Sequence, residues 1–195
     1  MESGDKPTAT QLAGKYAADI QGKVILTTGV SPNSLGSQFV QSLAAHSPGL
    51  LILAGRNRTK TQAAADAILA DHPDVATRVL ELDLGSLDAV RRAAEEVNGW
   101  DDVPRIDVLM LNAGIMAAPY GVTGDGIESQ LGTNHVGHFL FANLVMGKVL
   151  RAEEPRVVVV SSDGHRLSPF RFGDYNFDVG SPVFPRYAEA VYASE

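Results

Sequence analysis

The sequence predicts an α/β fold built on a doubly wound parallel sheet, because short aliphatic runs alternate with helical stretches as in repeated βαβ units. Four of the five runs are almost continuously apolar, which is typical of strands buried on both faces of a parallel sheet. The third run alternates apolar and polar residues, which predicts a more exposed strand. The five runs are Val24–Thr28, Leu50–Ala54, Val79–Leu84, Val108–Leu111 and Val157–Ser161.

The predicted helices follow from the stretches between these runs. In residues 36–47 the apolar side chains fall on one helical face, as expected for a helix that packs on a sheet. Residues 59–72 and 86–97 are rich in alanine and charge, like surface helices over a sheet. Residues 129–151 form a longer and more apolar stretch. Residues 8–23 predict a further helix laid outside the sheet.

Composition limits the possible functions. The 195 residues carry a net charge of −7 and no cysteine, so disulfides and thiolate chemistry are excluded. The acidic balance disfavours nucleic acid as a partner, and an anionic ligand would need a locally positive site. The N-terminus has no apolar signal segment, and no apolar run is long enough to span a bilayer. We therefore expect a cytoplasmic protein without a transmembrane segment.

A candidate phosphate-binding loop follows the first run, in TTGVSPNSLGSQFV. A strand, a glycine turn and a helix start place free N–H groups where they can bind a pyrophosphate. Gly29 suits the tight turn and Gly36 suits close packing of helix on strand. Ser34 stands near the place of the usual middle glycine, and the loop is one residue longer than the common pattern. The alternative is an ordinary βα turn that binds no ligand.

Cofactor preference is indicated at the end of the second run, which reads AGRNR. An NAD site favours an acidic residue about twenty residues beyond the glycine motif, to bind the ribose hydroxyl groups. Here Arg56 follows at once, with Arg58 beyond it. A guanidinium group matches a 2′-phosphate in geometry and charge, so NADP(H) is the expected cofactor. The alternative is a solvated surface arginine.

Four further motifs fall in order after these two: LDLGS, LNAGI, NHVGHF and VVVVSSDGHR. With TTGVSPNSLG they resemble the short-chain dehydrogenase/reductase family, nearest to the branch of retinol dehydrogenases and WW-domain oxidoreductases. The resemblance runs from about Lys23 onward. Each motif is weak alone, but their order and their places at strand ends are specific. The resemblance implies a Rossmann-like sheet of order 3-2-1-4-5.

The resemblance also implies roles for the matching positions. Asn134 would hold a water molecule in a proton relay, Ser162 would bind the substrate carbonyl, and Tyr192 would donate the proton to the developing alkoxide. Asp83 and Leu84 would contact the adenine. The complete set expected to bind the cofactor is Gly29, Ser31, Ser34, Leu35, Gly36, Arg56, Asp83, Leu84, Asn112, Ala113 and Gly114.

Two functions remain open, because the family places a lysine four residues after its tyrosine. That would be position 196, one beyond Glu195. A free tyrosine has a pKa of about 10, so a nearby cation is needed to tune it. The first function is NADP(H)-dependent interconversion of an apolar alcohol and its ketone or aldehyde. The second is a truncated, weakly active or inactive nucleotide-binding remnant.

The corresponding domain prediction is a polar tail and helix over residues 1–22, followed by an incomplete NADP-binding domain over residues 23–195. The last strands of the family fold would be absent, which would leave the fifth strand as an exposed apolar edge. A homo-oligomer is possible.

Other chemistries have weaker support. His135 and His138 stand at metal-binding spacing on a helix, but no third ligand is evident, so we expect no metal. Ser162, Asp163 and His165 are too close in sequence for a hydrolase triad, and no G-x-S-x-G motif is present. Tyr187 is a poorer proton donor than Tyr192. The basic residue after the second strand and the later motifs argue against a methyltransferase.

Overall fold

Five parallel strands form one sheet, and their order, β3–β2–β1–β4–β5, confirms the predicted order. The computed structural model describes residues 6–166, 169–170 and 172–177. The strand order reverses at β1, which pairs with β2 on one side and β4 on the other. The strands are β1 Val24–Thr28, β2 Leu50–Gly55, β3 Thr77–Glu81, β4 Val108–Leu111 and β5 Arg156–Val159.

Helices cover the sheet and bury its apolar side chains in two clusters. Successive strand residues alternate between the clusters, so Leu26 and Ile52 lie in one whereas Ile25 and Leu51 lie in the other. A π-helical turn, Gly132–Val136, leads into α7, and a 3₁₀ turn spans Asp163–Arg166. No described helix is both long and apolar enough to cross a membrane. The helices are α1 Ala9–Lys15, α2 Ala17–Ile20, α3 Leu35–Ala44, α4 Arg58–Asp71, α5 Leu87–Gly99, α6 Ser129–Leu131 and α7 Gly137–Val149.

The prediction of one helix over residues 8–23 is wrong. A capping box between Thr8 and Gln11 starts α1, and the backbone leaves the helical region at Tyr16, with φ −108° and ψ 25°. A second short helix, α2, follows. With this turn, both Ala13 and Ile20 are buried in the apolar cluster that also contains the side chains of α3.

The third strand begins and ends earlier than the aliphatic run predicts. Its last pair joins Gly55 of β2 to Glu81, and beyond that point Leu82 keeps one hydrogen bond, from its N–H to the Gly55 carbonyl. Leu82 and Leu84 are buried, but in a loop and not in a strand. The aliphatic run predicted a strand as far as Leu84, because the buried leucines of the loop continue the apolar pattern of the strand.

The fifth strand is less covered than its apolar run predicts. Val157, Val158, Val159 and Val160 are between 42% and 63% exposed. β5 pairs with β4 on one side, and the described residues place no strand on its other side. The expectation of an exposed apolar edge therefore fits the described part of the chain.

A buried lysine fixes the loop between α5 and β4. Lys148 is only 5% exposed, and its Nζ donates hydrogen bonds of 2.6 Å to the carbonyl oxygens of Trp100 and Val103. Burial lowers the pKa of this ammonium group. On the outer side of the loop, the Arg78 guanidinium lies over the Trp100 ring and binds Asp102 through both oxygens. These contacts set where the chain enters β4.

Replacement of this lysine tests the loop contacts. In Lys148→Met the side chain keeps its apolar stem, but the buried Val103 carbonyl loses its charged donor. We expect the free energy of unfolding to fall by about 2 kcal/mol, measured by urea denaturation. Arg92→Met, at an exposed position of α5, is the control and should change it by less than about 0.5 kcal/mol. Equal stability of the two variants would contradict the assignment.

Candidate functional site

A crevice opens at the carboxyl ends of the strands where the strand order reverses, the usual ligand site of doubly wound sheets. Its volume is about 530 Å³. The loops after β1, β2, β3 and β4 line it, together with Thr133 of the π-helical turn. Every residue predicted to bind the cofactor lines this crevice except Gly36. The structure therefore brings the predicted set together, while the contacts of each residue with a cofactor remain a prediction.

Two glycines of the first loop are required by close packing. Gly29 has a left-handed φ of +76°, and a Cβ there would lie 2.7 Å from the Cα of Ala113. A Cβ on Gly36 would lie 2.6 Å from the carbonyl oxygen of Gly29. Gly36 thus lies behind the crevice wall, where it allows α3 to approach the first loop. These contacts place the start of α3 close to the turn after β4.

Ser34 organises the loop around its additional residue. Its hydroxyl accepts hydrogen bonds from the N–H groups of Ser31 (3.2 Å) and Ser37 (3.1 Å) and donates one to the Gly29 carbonyl (3.2 Å). It is also the N-cap of α3. Asn33 takes a left-handed φ of 62° just before it. Ser34 therefore fixes the positive end of the α3 dipole at the crevice, where an anion would be stabilised.

Hydrogen bonds tie the ends of β1 and β4 together. The Thr28 hydroxyl oxygen accepts the N–H groups of Asn112 and Ala113, both at 3.0 Å. In return, the Asn112 side-chain amide donates to the Thr28 carbonyl at 2.9 Å. The same Thr28 oxygen lies 2.8 Å from Nε2 of His138 on α7. Sequence reasoning did not single out Thr28.

Asn134 is clamped to the loop after β4. Its side-chain oxygen accepts the N–H of Ile115 and its side-chain nitrogen donates to the Ile115 carbonyl, both at 2.8 Å. Its main-chain carbonyl accepts a hydrogen bond from Nδ1 of His138 at 3.0 Å. A Cβ on Gly137, the first residue of α7, would overlap the Leu84 carbonyl oxygen. The start of α7 therefore packs tightly against the loop after β3. The proposed water-binding role of Asn134 stays a prediction.

Two cationic side chains lie in the wall after β2. Arg56 lines the crevice as one of the predicted residues, and Lys60 lines it as well, whereas Arg58 does not. The Asn57 side chain caps α4 by accepting the N–H of Lys60 at 3.0 Å, which places Lys60 in the first helical turn. Sequence reasoning missed Lys60. The available signal was its place in the first turn of α4, which begins two residues after Arg56.

Ser162 follows the end of β5 and so lies at the same carboxyl-end edge of the sheet as the crevice, but it does not line the crevice. Its hydroxyl oxygen accepts the N–H of Gly164 at 3.1 Å. The ring of His165 contacts the Ser162 carbonyl oxygen and not the hydroxyl, so this pair is not arranged as nucleophile and base. Tyr187 and Tyr192 lie outside the described residues.

Comparison with known proteins decides the family. The sequence model of the short chain dehydrogenases matches residues 23–176. This chain belongs to the short-chain dehydrogenase family. It is 37% identical over 182 residues to the oxidoreductase fscI of Fusarium equiseti, covering 91% of this chain and 70% of that protein. The family resemblance drawn from the sequence motifs is thereby confirmed.

Two further relatives agree. Retinol dehydrogenase 13 of Homo sapiens is 36% identical over 160 residues, which cover 82% of this chain and 47% of that protein. The crystal structure of an uncharacterized protein from Mycobacterium paratuberculosis superposes with a TM-score of 0.67 at 38% identity, covering 84% of this chain and 56% of that one. The chain thus spans about half the length of the human relative.

Neighbouring threonines of β1 provide a test of the link between β1 and β4. Thr28→Val would leave two backbone N–H groups without their acceptor, so we expect a loss of about 2 kcal/mol or more in unfolding free energy. Thr27 is buried too, but its hydroxyl has no hydrogen-bond partner in the structure described. Thr27→Val should therefore be neutral or slightly stabilising in the same thermal or urea denaturation. Similar losses in both variants would contradict a specific role for the Thr28 hydroxyl.

Proposed function

We propose that this chain forms the cofactor-binding part of an NADP(H)-dependent oxidoreductase that interconverts a ketone or aldehyde and an alcohol by hydride transfer. The observation that carries the proposal is the crevice at the strand-order reversal, with Arg56 and Lys60 together in its wall. Membership of the short-chain dehydrogenase family supports it, as do the similarities to an oxidoreductase and to a retinol dehydrogenase.

The residues of the crevice fit such a dinucleotide. The capped start of α3 at Ser34 suits the pyrophosphate, since backbone N–H groups and the helix dipole favour an anion there. The half-buried Asp83 is held by the N–H of Gly85 at 2.9 Å, in a place suited to the adenine amino group. The turn from Asn112 to Gly114 lines the remaining wall.

Preference for the phosphorylated cofactor follows from charge. The chain carries a net charge of −7, so long-range attraction would not favour a phosphate, and a local cationic site is required. Arg56 and Lys60 supply it after β2, where NAD-specific sites place an acidic residue instead. A guanidinium and an ammonium group beside one phosphate form charge-assisted hydrogen bonds, which are stronger than neutral ones.

In the proposed reaction NADPH, when bound in the crevice, would supply the hydride. The Ser162 hydroxyl donates a hydrogen bond to the substrate carbonyl oxygen, and Tyr192 gives a proton to that oxygen as negative charge develops on it. The Asn134 side chain is held by the N–H and carbonyl groups of Ile115, and Asn134 is the residue proposed to hold the relay water.

An apolar small-molecule substrate is supported by exposed apolar side chains in the loop after β4 and after β5. The Tyr120 hydroxyl donates to the Asn176 carbonyl at 3.0 Å and so connects the loop after β4 with the described residues that follow β5. Met116, Phe170 and Phe172 in these loops expose much of their apolar surface. Exposed apolar side chains of this kind are typical of a binding region for an apolar molecule.

Removal of each cation tests the cofactor preference. In Arg56→Ala and in Lys60→Ala we expect NADPH to bind about tenfold or more weakly, because each variant loses a charge-assisted hydrogen bond. NADH affinity should change by less than about twofold, since that cofactor lacks the 2′-phosphate. Cofactor fluorescence titration measures both constants. Arg58→Ala is the matched control, and an equal effect there, or an equal loss of NADH binding, would reject the assignment.

A second pair of variants tests the reaction. With NADPH and a series of apolar ketones and aldehydes, Ser162→Ala and Tyr192→Phe should each lower kcat/KM by about a hundredfold or more. NADPH affinity should be retained, because neither side chain is proposed to hold the cofactor. Ser161→Ala is the control beside the proposed catalytic serine. Undiminished turnover in either variant would remove that residue from the mechanism.

A further inference from the structure

His138 is a buried residue of α7, close to the ends of the strands that form the crevice. It is 4% exposed, and both of its ring nitrogens are engaged. Nε2 lies 2.8 Å from the Thr28 hydroxyl oxygen, and Nδ1 lies 3.0 Å from the carbonyl oxygen of Asn134. His138 therefore joins the link between β1 and β4 to the π-helical turn that carries Asn134.

The directions of these hydrogen bonds follow from counting donors and acceptors. The Thr28 oxygen already accepts two N–H groups, from Asn112 and Ala113, which occupy both of its lone pairs. The Thr28 proton must therefore be donated to Nε2 of His138. Nε2 is then an acceptor, so the ring proton sits on Nδ1 and is donated to the Asn134 carbonyl. These groups are all satisfied only when His138 is neutral with its proton on Nδ1.

We propose that His138 is a positioning residue for the cofactor, and that its protonation loosens the turn from Asn112 to Gly114 and weakens cofactor binding. A proton on Nε2 would point a third donor at the Thr28 oxygen, so one of the two backbone N–H groups would have to leave. These groups belong to the turn that lines the crevice. The proposal rests on the proposed function in its choice of NADPH as the ligand.

The surroundings of His138 favour its neutral form. Burial lowers the pKa of the ring, and this outweighs the hydrogen bond to the Asn134 carbonyl, which raises it. Repulsion from His135, one turn earlier in the chain, lowers the pKa further. The ends of β1 and β4 present a hydroxyl group and backbone amides, and α5 packs on α7 through the apolar Val90, Ala93 and Val97. None of these groups titrates.

Low pH should destabilise the folded chain through His138. Because the pKa of His138 is lower in the folded protein than the unperturbed value of about 6.5, the unfolded chain binds more protons between these two values. The contribution of the neutral ring to stability is complete above about pH 6.5. It is lost as the pH falls through the lowered pKa. Cofactor binding should weaken below the lowered pKa, where the ring of the folded chain becomes protonated.

Nuclear magnetic resonance tests the geometry without any ligand. Long-range ¹⁵N–¹H correlations of the histidine rings, assigned with His138→Gln, should show His138 protonated on Nδ1 and titrating below pH 6.5. The backbone amide signals of Asn112 and Ala113 should shift with the same midpoint in the wild-type chain. Three results would each overturn the proposal. They are a neutral ring with its proton on Nε2, a midpoint of the His138 titration at or above pH 6.5, and amide signals that do not change as His138 titrates.

Two variants separate the two hydrogen bonds. The side-chain oxygen of His138→Gln can still accept the Thr28 proton but cannot titrate, so the amide shifts of Asn112 and Ala113 should become insensitive to pH. His138→Asn can keep the donor to the Asn134 carbonyl but not the contact with Thr28. The amide signals of Asn112 and Ala113 in this variant should therefore differ from those of the wild-type chain at every pH. His135→Gln, in the π-helical turn that precedes α7, is the matched control, and the turn from Asn112 to Gly114 should still titrate in this variant.

NADPH titration then gives the functional result. In the wild-type chain the Kd should rise by up to about tenfold for each pH unit below the His138 midpoint. In His138→Gln this part of the pH dependence should disappear. The 2′-phosphate of NADPH itself titrates at about pH 6. The contribution of His138 is therefore the difference between the pH profiles of Kd for the wild-type chain and for His138→Gln. Identical pH profiles would overturn the proposal. Absence of NADPH binding at pH 8 would instead reject the proposed function, and the resonance data would still decide the coupling.

Discussion

The hydroxyl group of Thr28 is the contact on which the crevice depends. A parallel sheet holds its strands together by backbone pairing, but the paired residues of β1 and β4 stop at Thr27 and Met110. Each strand has one further residue before its loop begins, and there the Thr28 oxygen accepts the N–H groups of Asn112 and Ala113. One side chain thus extends the sheet past its last paired residues and fixes the width of the crevice at its base.

Glycines set the distances around this contact, and they do so by packing. Gly29 touches Ala113, Gly36 touches Gly29, and Gly137 touches Leu84, each so closely that a Cβ could not be added without movement. Backbone therefore meets backbone at three places around one crevice. The arrangement of the site is a consequence of these approaches, and the polar side chains are positioned by them.

The parts of this structure that the sequence predicts well are those encoded locally. Aliphatic runs gave β1 and β4 their observed bounds, and Arg56 could be found because it directly follows a strand. Lys60 and His138 could not be found in the same way, because their roles depend on which side of a helix meets a strand end. The limits of β3 were missed for a related reason: Leu82 and Leu84 are buried by neighbouring elements and not by pairing. Local patterns report burial, but they do not report its cause.

The same distinction explains how the first loop departs from the common glycine pattern without losing its shape. An additional residue would be expected to widen the loop and move the start of α3 away from β1. Instead Asn33 turns the backbone through a left-handed conformation, and the Ser34 hydroxyl binds both flanks of the loop and the Gly29 carbonyl. A glycine at position 34 would allow a close ligand approach, but it could not make these three hydrogen bonds. A longer loop therefore requires a hydroxyl group at this position, so the serine and the additional residue are best understood as one structural change.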